Sequence, residues 1–457
     1  MSTSMTLTKH ARAILALGLP LIGSNVAQFA ITLTDAVMLG WYDVEALAAE
    51  VLGGTMFFVL FIMGSGFAQA VMPMVAEAEA AGATVQVRRV TRMGMWASLL
   101  FAVLVLPLLL FAAPVLRGLG QEPGTADLAG QYLGVAGWGI VPALLVMVLK
   151  SYLAALERTK VVLWVTIGAV VVNVVANYAL IFGHWGAPEM GIRGAAVASM
   201  LVQLVSVLLL VVYVIRATPE HELFVRFWRP DWEALGQVFR LGWPIGITSL
   251  AEVALFAAAS LMMGWLGTLS LAAHGIALQI ASLTFMVHLG LSNAATVRAG
   301  RAMGRGDAAE LKRGAQVVVG MSLGMSLLTL IGFLGFPELL LGAFLSPTEP
   351  ERLAVIAVGV PLLAAAGLFQ LADSAQVMAL GLLRGVRDTK VPMVIAAVSY
   401  WGIGMPVSYG LGFGLGWGGF GIWAGLAMGL ACAGLLMTLR FWRVTLPRIE
   451  RGAPPLG

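Results

Sequence analysis

Twelve stretches of this chain each stay apolar for about 18 residues or more, and no other feature limits the fold as strongly. They fall at 13–40, 50–75, 93–115, 131–156, 161–183, 194–215, 238–265, 273–297, 314–336, 353–383, 391–413 and 416–439. A run of this length crosses the ~30 Å hydrocarbon core of a bilayer as a helix, because in lipid the backbone must satisfy its own hydrogen bonds. Only 11% of the 457 residues are charged and 60% are hydrophobic, whereas soluble domains are roughly a quarter charged. The chain reads as an all-α integral membrane protein whose partner is the lipid bilayer. Its net charge of +4 comes from loop Lys and Arg and does not indicate a nucleic-acid partner. The first apolar run, after Lys9 and Arg12, is too long for a cleavable signal and leads into a span. The single cysteine, Cys432, excludes a disulfide framework and a thiol metal site. The least certain boundary is the glycine-rich stretch Gly410–Gly421, where two helices could be read as one.

Orientation follows from the basic residues. With both termini inside, 24 of the 27 Lys and Arg fall on the inner side, leaving Arg117, Arg193 and Arg352 outside. The positive-inside rule then expects twelve spans with both ends cytoplasmic, in the inner or plasma membrane.

The two halves of the chain repeat. Leu17-Gly18-Leu19-Pro20 matches Leu241-Gly242-Trp243-Pro244, and Met38-Leu39-Gly40-Trp41 matches Met262-Met263-Gly264-Trp265, both at an offset of 224. Thr159-Lys160 and Thr389-Lys390 match with a small drift. Six spans per copy give both copies the same orientation, a parallel repeat about an axis along the membrane normal. The expected architecture is two six-helix lobes with a cleft between them: an N-lobe at 1–216, a charged cytoplasmic linker at 217–237, and a C-lobe at 238–457 with a short cytoplasmic tail.

The acids identify the candidate site. Of 23 Asp and Glu, 20 read as loop or helix-end residues; Asp35, Glu252 and Asp373 lie within spans. No Lys or Arg is read inside a span to neutralise them. Three unpaired ionised acids in hydrocarbon would cost on the order of 7–10 kcal/mol, comparable with the net stability of a domain. Their countercharge is therefore expected from outside: a proton, a metal cation or a cationic substrate. The repeat does not duplicate them, since Glu252 aligns with Gln28 and Asp35 with Ala259. They look like additions specific to each lobe.

Each residue also has a plain reading. Asp35 could be an interfacial acid near Trp41, although the other half has an apolar residue at that depth. Asn173 and Asn177, four apart on one helix face, either tie helices together or supply oxygen ligands and hydrogen bonds to Asp35. His274 and His288 read as neutral packing residues. Pro20, Pro244 and Pro361 are hinge candidates, because proline removes a backbone hydrogen bond. Met and aromatic side chains suit an adaptable cavity, and Gln28, Met38, Phe256, Met286 and Phe369 join Asp35 as candidate substrate-lining residues.

Together these residues resemble the multidrug and toxic compound extrusion (MATE) family in its NorM-like bacterial branch, over essentially the whole chain. The resemblance is carried by Asp35 with Met38-Leu39-Gly40, by Asn173-x-x-x-Asn177-Tyr178, by Glu252, and by the series Asp373, Leu383-Arg384-Gly385, Asp388-Thr389, Pro392 and Tyr400-Trp401. It implies an N-lobe cation and drug site at Asp35, Asn173 and Asn177, and a C-lobe cation site at Glu252 and Asp373. Phe369 departs from it, standing where relatives can carry a tyrosine oxygen. The implied function is secondary active export of cationic, amphipathic drugs in antiport with Na⁺ or H⁺ by alternating access. The implied protein is a monomer with no cofactor.

The residues support exchange on their own terms. Acid sites without internal partners hold either a coupling cation or a cationic drug, and competition between the two gives antiport. One charge entering across ~100 mV supplies about 2.3 kcal/mol, enough for a gradient of roughly 40-fold. Na⁺ would suit the two carboxylates Glu252 and Asp373, and H⁺ would suit Asp35 alone. A lipid-linked oligosaccharide flippase of the same superfold should carry bases in its cleft, and none is read in a span. A membrane-embedded enzyme would need more than Gly64-Ser65-Gly66, which reads as close helix packing. No GxxxxGK[ST] motif suggests ATP drive.

Overall fold

A computed structural model of the chain describes residues 6–347 and 350–452. Every regular element among the described residues is helical. Twelve helices are long and apolar enough to cross a membrane: α1 (Leu7–Tyr42), α2 (Val44–Ala80), α3 (Thr84–Leu110), α4 (Pro123–Ala155), α5 (Thr159–Phe182), α6 (Ile192–Ala217), α7 (Trp232–Trp265), α8 (Thr268–Arg305), α9 (Ala308–Gly335), α10 (Arg352–Gly385), α11 (Lys390–Gly414) and α12 (Gly418–Glu450). The repeat survives in detail, with a short helix after α3 (Ala112–Gly118) and another after α9 (Pro337–Gly342).

The helix boundaries have local causes. One residue, Asp43, joins α1 to α2; its backbone is extended and its carboxylate accepts from the Ala46 N–H at 2.9 Å. That cap starts α2 at Val44, six residues before the apolar run that marked it in the sequence. Asp231 and Asp307 cap the starts of α7 and α9 in the same way, at 3.0 and 2.8 Å. The uncertain boundary at Gly410–Gly421 resolves into two helices. The break falls at 415–417, where Gly416 and Gly418 take positive φ of 69° and 58° that only glycine adopts readily. Span α11 also contains two wide, π-helical turns, Val398–Gly404 and Gly410–Gly414.

Contacts divide the chain into two compact units, Gly23–Gly246 and Met1–Ile22 with Ile247–Gly457. The division at 216 and 237 read from the sequence follows chain order; the division by packing falls inside α1 and α7. It comes just after Pro20 and Pro244, which lie within continuous helices, as does Pro361.

In the unit Gly23–Gly246, α2 crosses the start of α7 with backbones nearly touching. A Cβ on Gly66 would sit 2.4 Å from the Gly242 carbonyl oxygen and from the Gly246 nitrogen. Gly64-Ser65-Gly66 is thus a packing notch. The segment after α6 is clamped to α3: Arg89 donates to Asp231 at 2.5 Å and to Glu233 at 2.7 Å, Arg92 donates to the Leu223 carbonyl at 2.7 Å, and the Trp96 indole donates to the Phe227 carbonyl at 2.9 Å.

In the other unit α10 is central, packed by α8, α9 and α12. Ser292 and Thr296 of α8 donate to the α10 carbonyls of Val377 and Gly381, at 2.8 and 2.9 Å. The loop after α10 is fixed by Asp388, 2% exposed, which accepts two bonds from Arg440 and one from Thr445. Leu104, Ile331 and Leu435 are among the many large apolar side chains left exposed, the surface expected of helices that face lipid.

Candidate functional site

The three span acids fall into two groups, one in each unit. The first is built on α1, α5 and α6. Asp35 is 7% exposed and accepts three hydrogen bonds from neutral donors. Asn173 and Asn177 both donate to its Oδ1, at 2.7 and 2.6 Å, and Ser199 donates to Oδ2 at 3.3 Å. The spacing of four on α5 puts both amides on one face, turned to α1. Ser24 and Thr166 share a buried hydrogen bond of 2.9 Å between the same two helices. Ile31, Ala169 and Val202 close an apolar contact among α1, α5 and α6.

Asn173 and Asn177 are fully buried, and each has a side-chain oxygen with no hydrogen-bond partner. An amide that only tied helices together would use both ends. Here the nitrogen holds Asp35 and the oxygen is left over beside it. Hard oxygens from a carboxylate and two amides form a donor set suited to a small cation or to the N–H groups of a cationic ligand.

The second group is built on α7, α10 and α11. The charges of Glu252 (α7) and Asp373 (α10, 3% exposed) act on each other. Arg384 also acts on Glu252, which corrects the expectation that no base lies in a span. The sequence places Arg384 at the start of a loop, but α10 continues to Gly385 and carries it in the last turn. Asp373 and Arg384 are eleven residues apart, three helical turns, so they share a face roughly 16 Å apart along the axis. Gln376 interacts with both Glu252 and Tyr400, and two buried polar atoms here, Asp373 Oδ1 and the Ser399 hydroxyl, have no hydrogen-bond partner among the described residues. Buried polar groups normally pair, so these two oxygens are candidates to meet a cation.

Comparison with known proteins places the chain. The MatE family model matches residues 20–179 and 244–410. The chain belongs to the MatE family. It is 49% identical to a probable multidrug resistance protein NorM of Rhizobium meliloti, covering 95% of this chain and 94% of that protein. It is 36% identical to one of Synechocystis, covering 95% of both. Among solved structures it resembles a eukaryotic MATE transporter, with a TM-score of 0.87 at 17% identity over 98% of both chains. It also resembles a MOP superfamily transporter from Pyrococcus furiosus, with a TM-score of 0.85 at 17% identity over 96% of this chain and 97% of that one.

Within the MatE fold the expected lining residues are scattered. Gln28 is exposed on α1, whereas Met38, 6% exposed, is packed into the apolar core of its unit. Phe256 and Met286 are half-buried. Phe369, 2% exposed, packs edge-on between Phe256 and Trp423, with ring centroids at 5.7 and 5.3 Å. His274 is fixed by Ser260 at 2.9 Å and by the Trp423 indole at 3.1 Å, and His288 by Ser322 at 2.9 Å, so both are structural.

Sequence reasoning missed Ser199, Gln376, Arg384 and Glu50. Gln376 is one turn beyond Asp373, and Arg384 lies on its face, so helical spacing alone would have found both. Nothing in the local sequence marks Ser199. Glu50 was assigned to a helix end. In the structure it is the seventh residue of α2 and 8% exposed, and the charge of Asp35 acts on it.

Proposed function

We propose that this MatE chain is a secondary active multidrug exporter that moves cationic, amphipathic compounds out of the cell in antiport with an entering cation, by alternating access. It works as a monomer in the inner or plasma membrane with both termini cytoplasmic, as its inward bias of Lys and Arg favours. The observation that carries the reading is the set around Asp35: a buried carboxylate held only by neutral donors, with two amide oxygens left unpaired beside it. Such a site, once ionised, has a negative charge and faces no cation among the described residues. It binds positive charge from outside, and the coupling ion and the drug compete for it.

Na⁺ is the coupling ion this reading favours, held at Glu252 and Asp373, with protons as the rival at Asp35. The unpaired oxygens of Asp373 and Ser399, beside the second carboxylate Glu252, support a multi-oxygen site for Na⁺. Arg384 counts against it, since it already offsets part of the acid charge. The test is efflux of a fluorescent cation from proteoliposomes at equal pH on both sides with only a Na⁺ gradient imposed. Efflux driven by Na⁺ is the expected result. Efflux that ignores Na⁺ and follows an imposed pH step would move the coupling to H⁺ and to Asp35.

A further inference from the structure

We propose that Glu50 is a second acidic residue of the Asp35 site and that it adapts this half of the protein to substrates carrying two positive charges. The proposal rests on the reading of the chain as an exporter of cations.

The hairpin geometry places the two acids level with each other. Asp43 alone separates α1 from α2. Asp35 lies eight residues before it and Glu50 seven after it, so both stand about 11 Å from the hairpin tip. Glu50 is 8% exposed and accepts no hydrogen bond among the described residues. Its Oε1 lies over the backbone of its own helix, where a Cβ on Gly54 would come within 3.3 Å of it. A Cβ on the neighbouring Gly53 would come within 3.0 Å of the Tyr132 ring. The glycine pair therefore leaves room for the carboxylate and the ring, and the charges of both Glu50 and Asp35 act on Tyr132.

An acid kept for structure uses its oxygens. Asp388 in the other unit, which fixes the loop after α10, accepts three hydrogen bonds. Glu50 accepts none, and the one charged group that acts on it, Asp35, has the same sign. Burying such a group is costly unless a positive charge faces it. Independently, the unpaired side-chain oxygens of the buried Asn173 and Asn177, whose amide nitrogens hold Asp35, are free to meet a ligand there. A monocation satisfies Asp35 and these oxygens. A second positive centre on the same molecule meets Glu50.

The test compares two compounds with one skeleton: singly methylated bipyridinium, a monocation, and doubly methylated bipyridinium, a dication. Binding of each to the purified full-length protein is titrated, and efflux of each from proteoliposomes is followed. The wild-type protein should bind the dication more tightly than the monocation by about tenfold or more. Glu50→Gln should remove that preference and cut dication efflux by a similar factor, leaving monocation binding and efflux within about twofold. Glu50→Asp, which keeps the charge, should keep the preference. An unchanged binding ratio in Glu50→Gln, or an equal loss for both compounds, would overturn the proposal. So would a Glu50→Asp variant that behaves like Glu50→Gln. The binding ratio can be read whether or not the vesicles export either compound, so a wild-type protein that binds both and exports neither would sink the exporter reading while leaving Glu50 judged on its own.

Discussion

The acid groups of the two units solve the same problem in different ways. Around Asp35 no countercharge stands among the described residues, and three neutral donors shape the carboxylate. Around Glu252 and Asp373 the charge of a base, Arg384, is felt, and Asp373 Oδ1 and the Ser399 hydroxyl are left without partners among the described residues. A carboxylate held by amides keeps a fixed geometry and an open charge, which favours recognition of a cation. A carboxylate pair with a nearby guanidinium and unused oxygens has its charge partly offset and its ligands unassigned, which favours a site that fills and empties. The repeat supplies related helices to both units, but the two groups draw on different ones: α1, α5 and α6 around Asp35, and α7, α10 and α11 around Glu252 and Asp373.

The sharpest way to break the comparison is to neutralise each group. Asp35→Asn should reduce export of every cationic substrate by about a hundredfold or more, since the site loses its only fully hydrogen-bonded charge. Membrane levels should stay unchanged. Glu252→Gln and Asp373→Asn should each abolish the response to the coupling-ion gradient while leaving equilibrium drug binding within a few-fold. Drug binding lost equally in all three variants would show one shared site rather than two roles.

The comparison is sharpened by asking which group depends on an internal base. Arg384→Gln should lower stability measurably, because it leaves the buried Glu252 with less positive charge acting on it. Glu252→Gln in that background should recover most of the loss. Thermal unfolding of the four proteins of this cycle in detergent measures the coupling. Additive effects would mean that Arg384 does not act on Glu252. No basic substitution should show such coupling to Asp35.

A smaller effect concerns the clamp after α6. Arg89 donates two hydrogen bonds to Asp231 and holds its carboxyl below the usual carboxylate range, with the backbone N–H of Ala234 adding to the effect. A depressed folded value stabilises above the unfolded pKa of about 3.9, and that stability is lost as pH falls through the lower folded value. The Asp231 side chain is 26% exposed, so the contribution should be about 1 kcal/mol or less. Unfolding of wild type and Asp231→Asn, compared from about pH 6 down to about pH 3, should show the difference shrinking as the pH falls. A constant difference across that range would assign the clamp to something other than charge.

How much of the site could be read from the chain depends on where each partner stands. Asn173 and Asn177 were legible as a pair because four residues make one helical turn, and Asp35 because an acid in an apolar run is conspicuous. Their contact joins residues 138 and 142 positions apart, which no spacing rule reaches. Ser199 completes the site from 164 positions away, from a residue with no local signal. Glu50 and Arg384 were misplaced for a different reason. Both stand where hydropathy fades, and the helix continues past that point in each case: α2 because Asp43 caps it early, α10 because its backbone ladder runs on to Gly385.

The sequence by itself determined the twelve helices, their repeat and the three acids that hydrocarbon makes conspicuous. Those properties depend on the cost of placing each residue in lipid, which is paid locally and can be read in order. Only the tertiary structure decided that two amides and a serine hold Asp35, that Glu50 stands level with it, and that the charge of Arg384 acts on Glu252. Partners of a buried charge come from whichever helix packs alongside. That choice is made by close contacts such as Gly66 against Gly242 and Gly246, at distances along the chain that local chemistry does not encode.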